Sequence, residues 1–262
     1  MEEPGESLNS LILPYPGKQL LPESRKHFFS LKSGISDRYI YDLGLSTGEI
    51  LYEGRGGMGF STEPHILGLH DLMRMQYAES LIKEEFERNF KGKWGPAKFF
   101  RLRRDVNQEL KDPNRRTMAQ LYCLLACSGF RHKFDQHGNF KGEYFPHHLD
   151  TESIHINNKR LINSDFIIKK GSYKNLDTNL LTKKSLIYFH IPFPSRNQYK
   201  EDALDFFDHI NSKGYDFLLT SRLITRGRAD KLLMDWSKNY FSIRAPLSDD
   251  KFSSSDIFIT NF

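Results

Sequence analysis

The stretch from Ser185 to Thr220, SLIYFHIPFPSRNQYKEDALDFFDHINSKGYDFLLT, decides the fold class. It opens with the apolar run Ser185–Phe189, continues through a helix over Ala203–Ser212 and closes with a strand over Tyr215–Thr220. Apolar runs that alternate with amphipathic helices are typical of parallel strands, which are buried on both faces and joined by crossover helices. The alternation continues to the C-terminus with a helix and a last strand, over Ala229–Asn239 and Ile257–Thr260. The sequence therefore predicts an α/β fold, with a mostly parallel sheet and helices on both faces.

The N-terminal third contains shorter strand candidates. Tyr39–Leu43, Glu49–Glu53 and Ile66–Leu69 are short apolar runs that predict strands, and the second of them leads directly into Gly54–Gly59. Asp71–Phe90 has apolar residues along one stripe, which predicts a single amphipathic helix.

The middle of the chain interrupts the alternation of strand and helix. Helices are predicted over Ala97–Leu110 and Arg115–Cys127, and a hairpin-like turn follows within Arg131–Tyr144. We therefore expect residues 93–165 to form an inserted helical subdomain that carries a β-hairpin. Residues 1–92 and 166–262 would then form the α/β domain.

Composition indicates a globular protein. Hydrophobic residues make up 38% and aromatic residues 13% of the 262 positions, which argues against disorder. No uninterrupted apolar stretch is long enough to predict a membrane span, and the acidic N-terminus does not resemble a signal peptide. The net charge of +5 permits binding to phosphates. Cys123 and Cys127 are expected to be buried in a helix in a reducing cytoplasm, and we expect no metal site.

Four stretches follow one another in an order that is known from one enzyme family. They are Tyr15–Pro22, Leu51–Gly59, Asp105–Phe145 and Ser185–Phe262. In turn they resemble the opening segment, the glycine-rich cofactor motif, the target-recognition domain and the catalytic half of the Dam-like (D12 class) adenine-N6 DNA methyltransferases. The short loops are most similar to phage-encoded members. The resemblance implies a Rossmann-like methyltransferase domain, S-adenosylmethionine as cofactor, double-stranded DNA as partner and a bacterial cytoplasm as location.

The catalytic Asp-Pro-Pro-Tyr loop of this family corresponds to His190-Ile191-Pro192-Phe193. In the family, a carboxylate and a backbone carbonyl accept hydrogen bonds from the adenine amine, and the aromatic ring stacks on the flipped-out base. Phe193 keeps the ring and Pro192 keeps one proline, but His190 replaces the acid. A neutral imidazole offers one acceptor, and a protonated imidazole repels the developing positive charge. We interpret His190 as a residue without a catalytic task; a substituted acceptor or a different reaction are the alternatives.

The resemblance also implies a set of cofactor contacts. These are Tyr15, Lys18, Glu53, Gly57 and Gly59. Two neighbouring positions depart from the family: Arg55 replaces a phenylalanine, and Leu69 stands where an aspartate binds the ribose, unless a register shift brings in Asp71. Leucine cannot accept hydrogen bonds from hydroxyl groups, so we expect weakened binding of S-adenosylmethionine. Arg55 among glycines could instead form an anion-binding pocket.

Contacts to DNA are expected from the helical insert. The candidate residues are Arg115, Arg116, Arg131, Lys133 and Asn139. Arginine suits guanine and asparagine suits adenine. For each residue the alternative is a solvated surface position, and a Gly-Asn pair is also ordinary turn chemistry.

Three functions follow from these observations. The first is a Dam-like homologue with impaired catalysis that acts by binding DNA or a host or phage protein. The second is an active S-adenosylmethionine-dependent adenine-N6 methyltransferase with a divergent site. The third is an enzyme that performs a different reaction on the same scaffold. None of them requires a membrane or a metal ion.

Overall fold

The structure is a computed structural model, and it describes residues 35–45, 48, 50–90, 95–128, 134–135, 137–145, 149–191, 197–225, 228–244 and 255–262. The chain divides into two compact units. A sheet unit contains Ile50–Phe60, Asp165–Phe262 and the described part of Lys18–Leu45. A helical unit contains Ser61–Ser164. The expected insert at 93–165 falls within the helical unit except for Asp165, and this unit also includes the helices that precede the insert.

The sheet unit is built around one sheet to which every described strand belongs. The strands are β1 Tyr39–Asp42, β2 Gly56–Ser61, β3 Phe166–Lys170, β4 Ser185–Ile191, β5 Asp216–Thr225, β6 Arg228–Ala229, β7 Phe241–Arg244 and β8 Ser255–Thr260. Their order is β3-β2-β1-β4-β5-β8-β7, with the short β6 paired to β5. The pairs β1–β2, β1–β4 and β4–β5 are parallel, whereas β8 runs antiparallel to both β5 and β7. The predicted α/β fold is confirmed, and its parallel core ends in an antiparallel edge.

Strand β4 shows why the central strands are such clear apolar runs. All of its residues are buried except His190, which is half-buried. On one face, Phe207 of the helix Asn197–Ser212 packs between Phe189 of β4 and Phe217 of β5. Its ring centroid lies 6.2 Å from that of Phe189 and 5.0 Å from that of Phe217. A strand that has neighbours on both edges and packing on its faces has to be apolar at nearly every position. The single polar interruption at His190 is therefore informative.

Seven α-helices lie in the described part of the chain. The helical unit contains α1 Pro64–Met73, α2 Ala78–Phe90, α3 Pro96–Glu109, α4 Arg115–Ala126 and α5 Thr151–Ile162. The sheet unit contains α6 Asn197–Ser212 and α7 Lys231–Trp236. Helix α4 begins where the Asn114 side chain accepts a hydrogen bond from the Thr117 backbone, a standard N-cap. The expected burial of Cys123 and Cys127 is confirmed, in α4 and at its C-cap.

Two predictions for the N-terminal third were wrong. Ile66–Leu69 is not a strand but part of α1, which starts at Pro64 and buries Ile66, Leu69 and Met73 along one helical face. A run of four apolar residues fits either structure, and Pro64 at the first helical position favours the helix. The single helix expected over Asp71–Phe90 is two helices, because α1 ends at Met73 and α2 begins at Ala78.

The strand predicted over Glu49–Glu53 was also misplaced. Residues 51–53 form a 3-10 turn, and the strand is the glycine-rich segment itself, β2. Gly57 adopts φ +150°, and a Cβ atom there would lie 1.9 Å from the Ile40 carbonyl oxygen of β1. Only glycine allows this close approach between the two strands.

The predicted hairpin over Arg131–Tyr144 is reduced, among the described residues, to one bridge between Phe134 and Phe140. The Asp135 carboxylate closes the turn by accepting hydrogen bonds from the backbone of His137 and Asn139, each at 2.9 Å. Gly138 takes φ +78°, as expected for a Gly-Asn turn.

Candidate active site

The order of the strands singles out the edge where β1, β4 and β5 end, which we call the carboxyl edge. From β1 the chain first builds β2 and β3 on one side, and it then returns to build β4 and β5 on the other side. The direction of winding therefore reverses between β1 and β4. In open α/β sheets, ligands bind beyond the strand ends at this reversal.

The turn after β1 is the first component of this edge. Asp42, the last residue of β1, is 3% exposed, and its carboxylate accepts a hydrogen bond of 3.1 Å from the Gly44 backbone N–H. Burial raises the pKa of Asp42 to about 7. The Gly44 backbone lies against the Phe189 ring, so a Cβ atom there would sit 2.9 Å from that ring.

The end of β4 is the second component. His190 Nδ1 lies 2.9 Å from Oγ1 of the buried Thr220, and the Tyr188 hydroxyl lies 3.1 Å from the same oxygen. His190 and Thr220 are register partners on β4 and β5, and Asp42 is the register partner of Tyr188. Side chains of register partners, and of residues two apart on a strand, share one face of a sheet. All four polar residues thus occupy the same face at the carboxyl edge.

The Thr220 hydroxyl links its own orientation to the tautomer of a neutral His190. A hydroxyl donates one proton and accepts others. In the neutral imidazole, if Thr220 donates to His190 Nδ1, the imidazole proton is on Nε2; if His190 Nδ1–H donates to Thr220, Nε2 is an acceptor. The direction of this hydrogen bond therefore decides whether the second nitrogen of a neutral His190 donates or accepts.

The residue after His190 also has an internal contact. The Ile191 carbonyl accepts a hydrogen bond of 3.3 Å from the Ser221 hydroxyl. Pro192 and Phe193 lie outside the described residues.

The cofactor residues expected from the sequence lie elsewhere on the sheet. Glu53 and Arg55 precede β2, at the opposite edge, where Arg55 lies 5.9 Å from the Tyr39 ring centroid. Gly57 packs against the backbone of β1, and Gly59 lies beneath side chains of Leu45 and Leu51. Leu69 and Asp71, considered for ribose binding, are on α1. Tyr15 and Lys18 lie outside the described residues.

The site residues that sequence reasoning missed are those of the turn after β1. The signal was present as Asp42-Leu43-Gly44-Leu45-Ser46-Thr47-Gly48, an acid followed by spaced glycines directly after a strand. The glycines of Gly54–Gly59 are more closely spaced, and the cofactor motif was therefore assigned to them.

Three of the residues expected to bind DNA are described, and each has a contact within the helical unit. Arg115 donates to the Tyr77 hydroxyl. Arg116 Nε donates to Glu85 at 2.9 Å, and the Glu85 side chain is only 1% exposed. The Asn139 amide donates to Asp135 at 3.1 Å. Arg131 and Lys133 lie outside the described residues.

Other surfaces of the helical unit carry cations that face solvent. Helix α3 exposes Lys98, Arg101 and Arg104, whereas Arg103 is half-buried and donates to the Gly142 carbonyl at 2.8 Å. Across the described ranges, no helix is long and apolar enough to cross a membrane. The same ranges contain no group of three acidic, histidine or cysteine side chains that could hold a metal ion.

Comparison with known proteins relates the chain to a methyltransferase. It is 32% identical over 102 residues to the type II methyltransferase M.FokI of Planomicrobium okeanokoites, a match that covers 35% of this chain. The chain spans only 16% of the length of that relative. No protein-family model matches the sequence. The α/β fold, with its winding reversal between β1 and β4, is consistent with a methyltransferase-like, Rossmann-type domain.

Proposed function

We propose that this protein is a DNA methyltransferase homologue of the Dam-like adenine-N6 class that binds DNA but transfers methyl groups poorly. The observation that carries the proposal is the end of β4, where His190 hydrogen-bonds to Thr220. The resemblance makes His190 the residue that corresponds to the catalytic acid. The partial relationship to a type II methyltransferase supports the class of protein.

The chemical argument concerns the adenine amine, whose lone pair is delocalised into the ring. Transfer requires acceptors that stabilise the positive charge developing on this nitrogen. The segment His190–Arg196 contains no carboxylate, and the imidazole of His190 already uses one nitrogen on Thr220. Loss of one such preorganised partner typically lowers a rate by about 100- to 1,000-fold. We therefore expect slow transfer, even with a correctly bound cofactor.

The turn after β1 fits a nucleoside cofactor better than the segment first assigned to it. Asp42 accepts a hydrogen bond from the Gly44 amide at the carboxyl edge, directly after β1. Bound there, S-adenosylmethionine would supply the methyl group. Asp42 and the glycine backbone would orient that cofactor beside the end of β4, where His190 lies.

Binding to DNA is supported by charge on the helical unit. The exposed cations of α3 can contact phosphates without breaking buried structure. Each phosphate that they neutralise contributes to a steep decrease of affinity with salt. If charge reversal of this basic surface leaves the biological effect unchanged, the proposal becomes binding to a protein partner instead of DNA.

A second candidate is an active adenine-N6 methyltransferase with a divergent site. It is favoured by the contact between His190 and Thr220, because an imidazole fixed with Nε2 as an acceptor could substitute for the acid. In that case His190 would be a catalytic residue.

One experiment separates these candidates. Binding of S-adenosylmethionine is measured by calorimetry, and transfer of labelled methyl groups to duplex DNA is then followed alongside gel shifts. Duplex binding at low salt without transfer is the expected result. Efficient transfer that is lost in His190→Ala would establish the second candidate. Absence of a gel shift at micromolar protein would remove DNA as the partner.

A further inference from the structure

The face of the sheet that carries His190 continues onto β5 and β8 with an ion pair. Arg222 follows Thr220 by two residues on β5, so it lies on the same face as Thr220 and one step nearer the carboxyl edge. Its register partner on β8 is Asp256. The pairing between these strands shifts immediately after Arg222, between Arg222 and Ile224. Irregularities of this kind often redirect side chains beside functional sites.

Asp256 forms an ion pair with Arg222. Arg222 Nε donates to Asp256 Oδ1 at 3.2 Å; the Asp256 side chain is fully buried, whereas that of Arg222 is 27% exposed. A guanidinium has a rigid fork of five N–H donors. A carboxylate that engages Nε fixes the plane of the guanidinium and leaves donors for a ligand that reaches it from the solvent side. This is the geometry of a preorganised oxyanion site.

The position within the sheet indicates which oxyanion would bind. The turn that fits the cofactor follows β1, and β4 with His190 lies between β1 and β5. A group bound at Arg222 is therefore separated from the cofactor turn by the strand that would face the target base. We propose that Arg222 binds a phosphodiester oxygen of the nucleic-acid strand that reaches His190, with Asp256 as the residue that positions it.

This inference rests on the proposed function, since it names the contact by which DNA engages the same site. A charge-matched comparison tests it. Arg222→Gln removes one positive charge beside His190, and Lys184→Gln removes one from the exposed residue just before β4, at the opposite edge of the sheet. A double variant, Arg222→Gln with Asp256→Asn, keeps the net charge and replaces the ion pair by neutral groups that can still hydrogen-bond.

The double variant also guards against misfolding, because the single change leaves a buried carboxylate without its cation. Affinity for a short duplex oligonucleotide is measured across a salt series, and affinity for S-adenosylhomocysteine is measured by calorimetry. We expect both Arg222 variants to bind DNA about tenfold more weakly than wild type. We also expect their log–log salt slopes to be smaller by about 0.9. Lys184→Gln should change neither quantity by as much, and S-adenosylhomocysteine should bind all variants equally.

The outcomes distinguish a failure of the proposed function from a failure of the assignment of Arg222. If wild type binds no duplex, the proposed function and the phosphodiester contact of Arg222 are both overturned. If wild type binds and the folded double variant matches it, the assignment of Arg222 is overturned. If the Arg222 variants lose S-adenosylhomocysteine but keep DNA, the oxyanion is the cofactor carboxylate and the phosphodiester assignment is wrong.

Discussion

Replacing Asp42 by asparagine should change how the stability of the protein depends on pH. Asp42 ends β1, is almost completely buried and accepts a hydrogen bond from the Gly44 N–H. Asparagine has the same shape and keeps an acceptor oxygen for that N–H, but it carries no charge at any pH. The substitution therefore removes the titration of this site and leaves its packing in place.

The magnitude follows from the pKa. Burial raises the pKa of Asp42 from 3.8 to about 7, so the folded protein holds this proton more tightly than the unfolded chain. The resulting stabilisation is fully present below the unfolded pKa and is lost as pH rises through the folded pKa. Each pH unit between the two values is worth about 1.4 kcal/mol, which gives an upper bound of about 4 kcal/mol in total. About 3 kcal/mol of this loss falls above pH 5.

Urea unfolding at about pH 5 and about pH 8.5 tests this. The free energy of unfolding of Asp42→Asn, relative to wild type, should rise by about 3 kcal/mol between the two conditions. Asp205→Asn, an exposed position on α6, makes the same charge change and should show no such rise. If the two variants respond to pH in parallel, Asp42 does not titrate as its burial implies, and the reasoning is refuted.

Three further substitutions test the fold and the site. Gly57→Ala would push a Cβ atom into the β1 backbone and should destabilise the protein by about 3 kcal/mol or more in thermal unfolding. The control Gly95→Ala, which has open space around the added Cβ atom, should cost no more than about 1 kcal/mol. Glu85→Ala would remove a buried carboxylate that accepts hydrogen bonds from Arg116 and Gln120 and should cost about 1–3 kcal/mol, against about 0.5 kcal/mol or less for the exposed Glu84→Ala in the same denaturation assay. Thr220→Val should shift the imidazole nitrogen resonances of His190, and unchanged spectra would show that the 2.9 Å contact does not set its tautomer.

The parallel core could be predicted because burial forces its strands to be apolar. Ser185–Phe189 and Tyr215–Thr220 are recognisable as strands, and the helix between them has one apolar face. The order of β1, β4 and β5 then places the end of β4 at the winding reversal. His190 was singled out by the resemblance of His190–Phe193 to the catalytic loop of the family, which follows this strand.

The role of each glycine could not be predicted from composition alone. Glycines occur in ligand-binding turns because backbone must approach a ligand, and they occur in strands where backbone must approach backbone. Gly57 belongs to the second kind, because the Ile40 carbonyl excludes a side chain there. Gly44 differs from it, because Gly44 lies in the turn after β1 and its N–H donates to Asp42. The distinction depends on which neighbour lies beside each glycine, and that neighbour is set by strand pairing distant in sequence.

The contacts of Thr220 and Arg222 could not be predicted from the sequence either. Thr220 lies thirty positions from His190, and Arg222 lies thirty-four positions from Asp256. Neither pair follows a local spacing rule, so each became visible only when the register between the strands was known.

The most direct test of the central claim is the rate of methyl transfer to duplex DNA by His190→Asp compared with wild type and His190→Ala. Restoring a carboxylate at the end of β4 should raise labelled-methyl incorporation at least about tenfold above wild type, with His190→Ala indistinguishable from wild type. A wild-type protein that methylates adenine efficiently, and that loses this activity in both variants, would contradict the account and make His190 the catalytic acceptor.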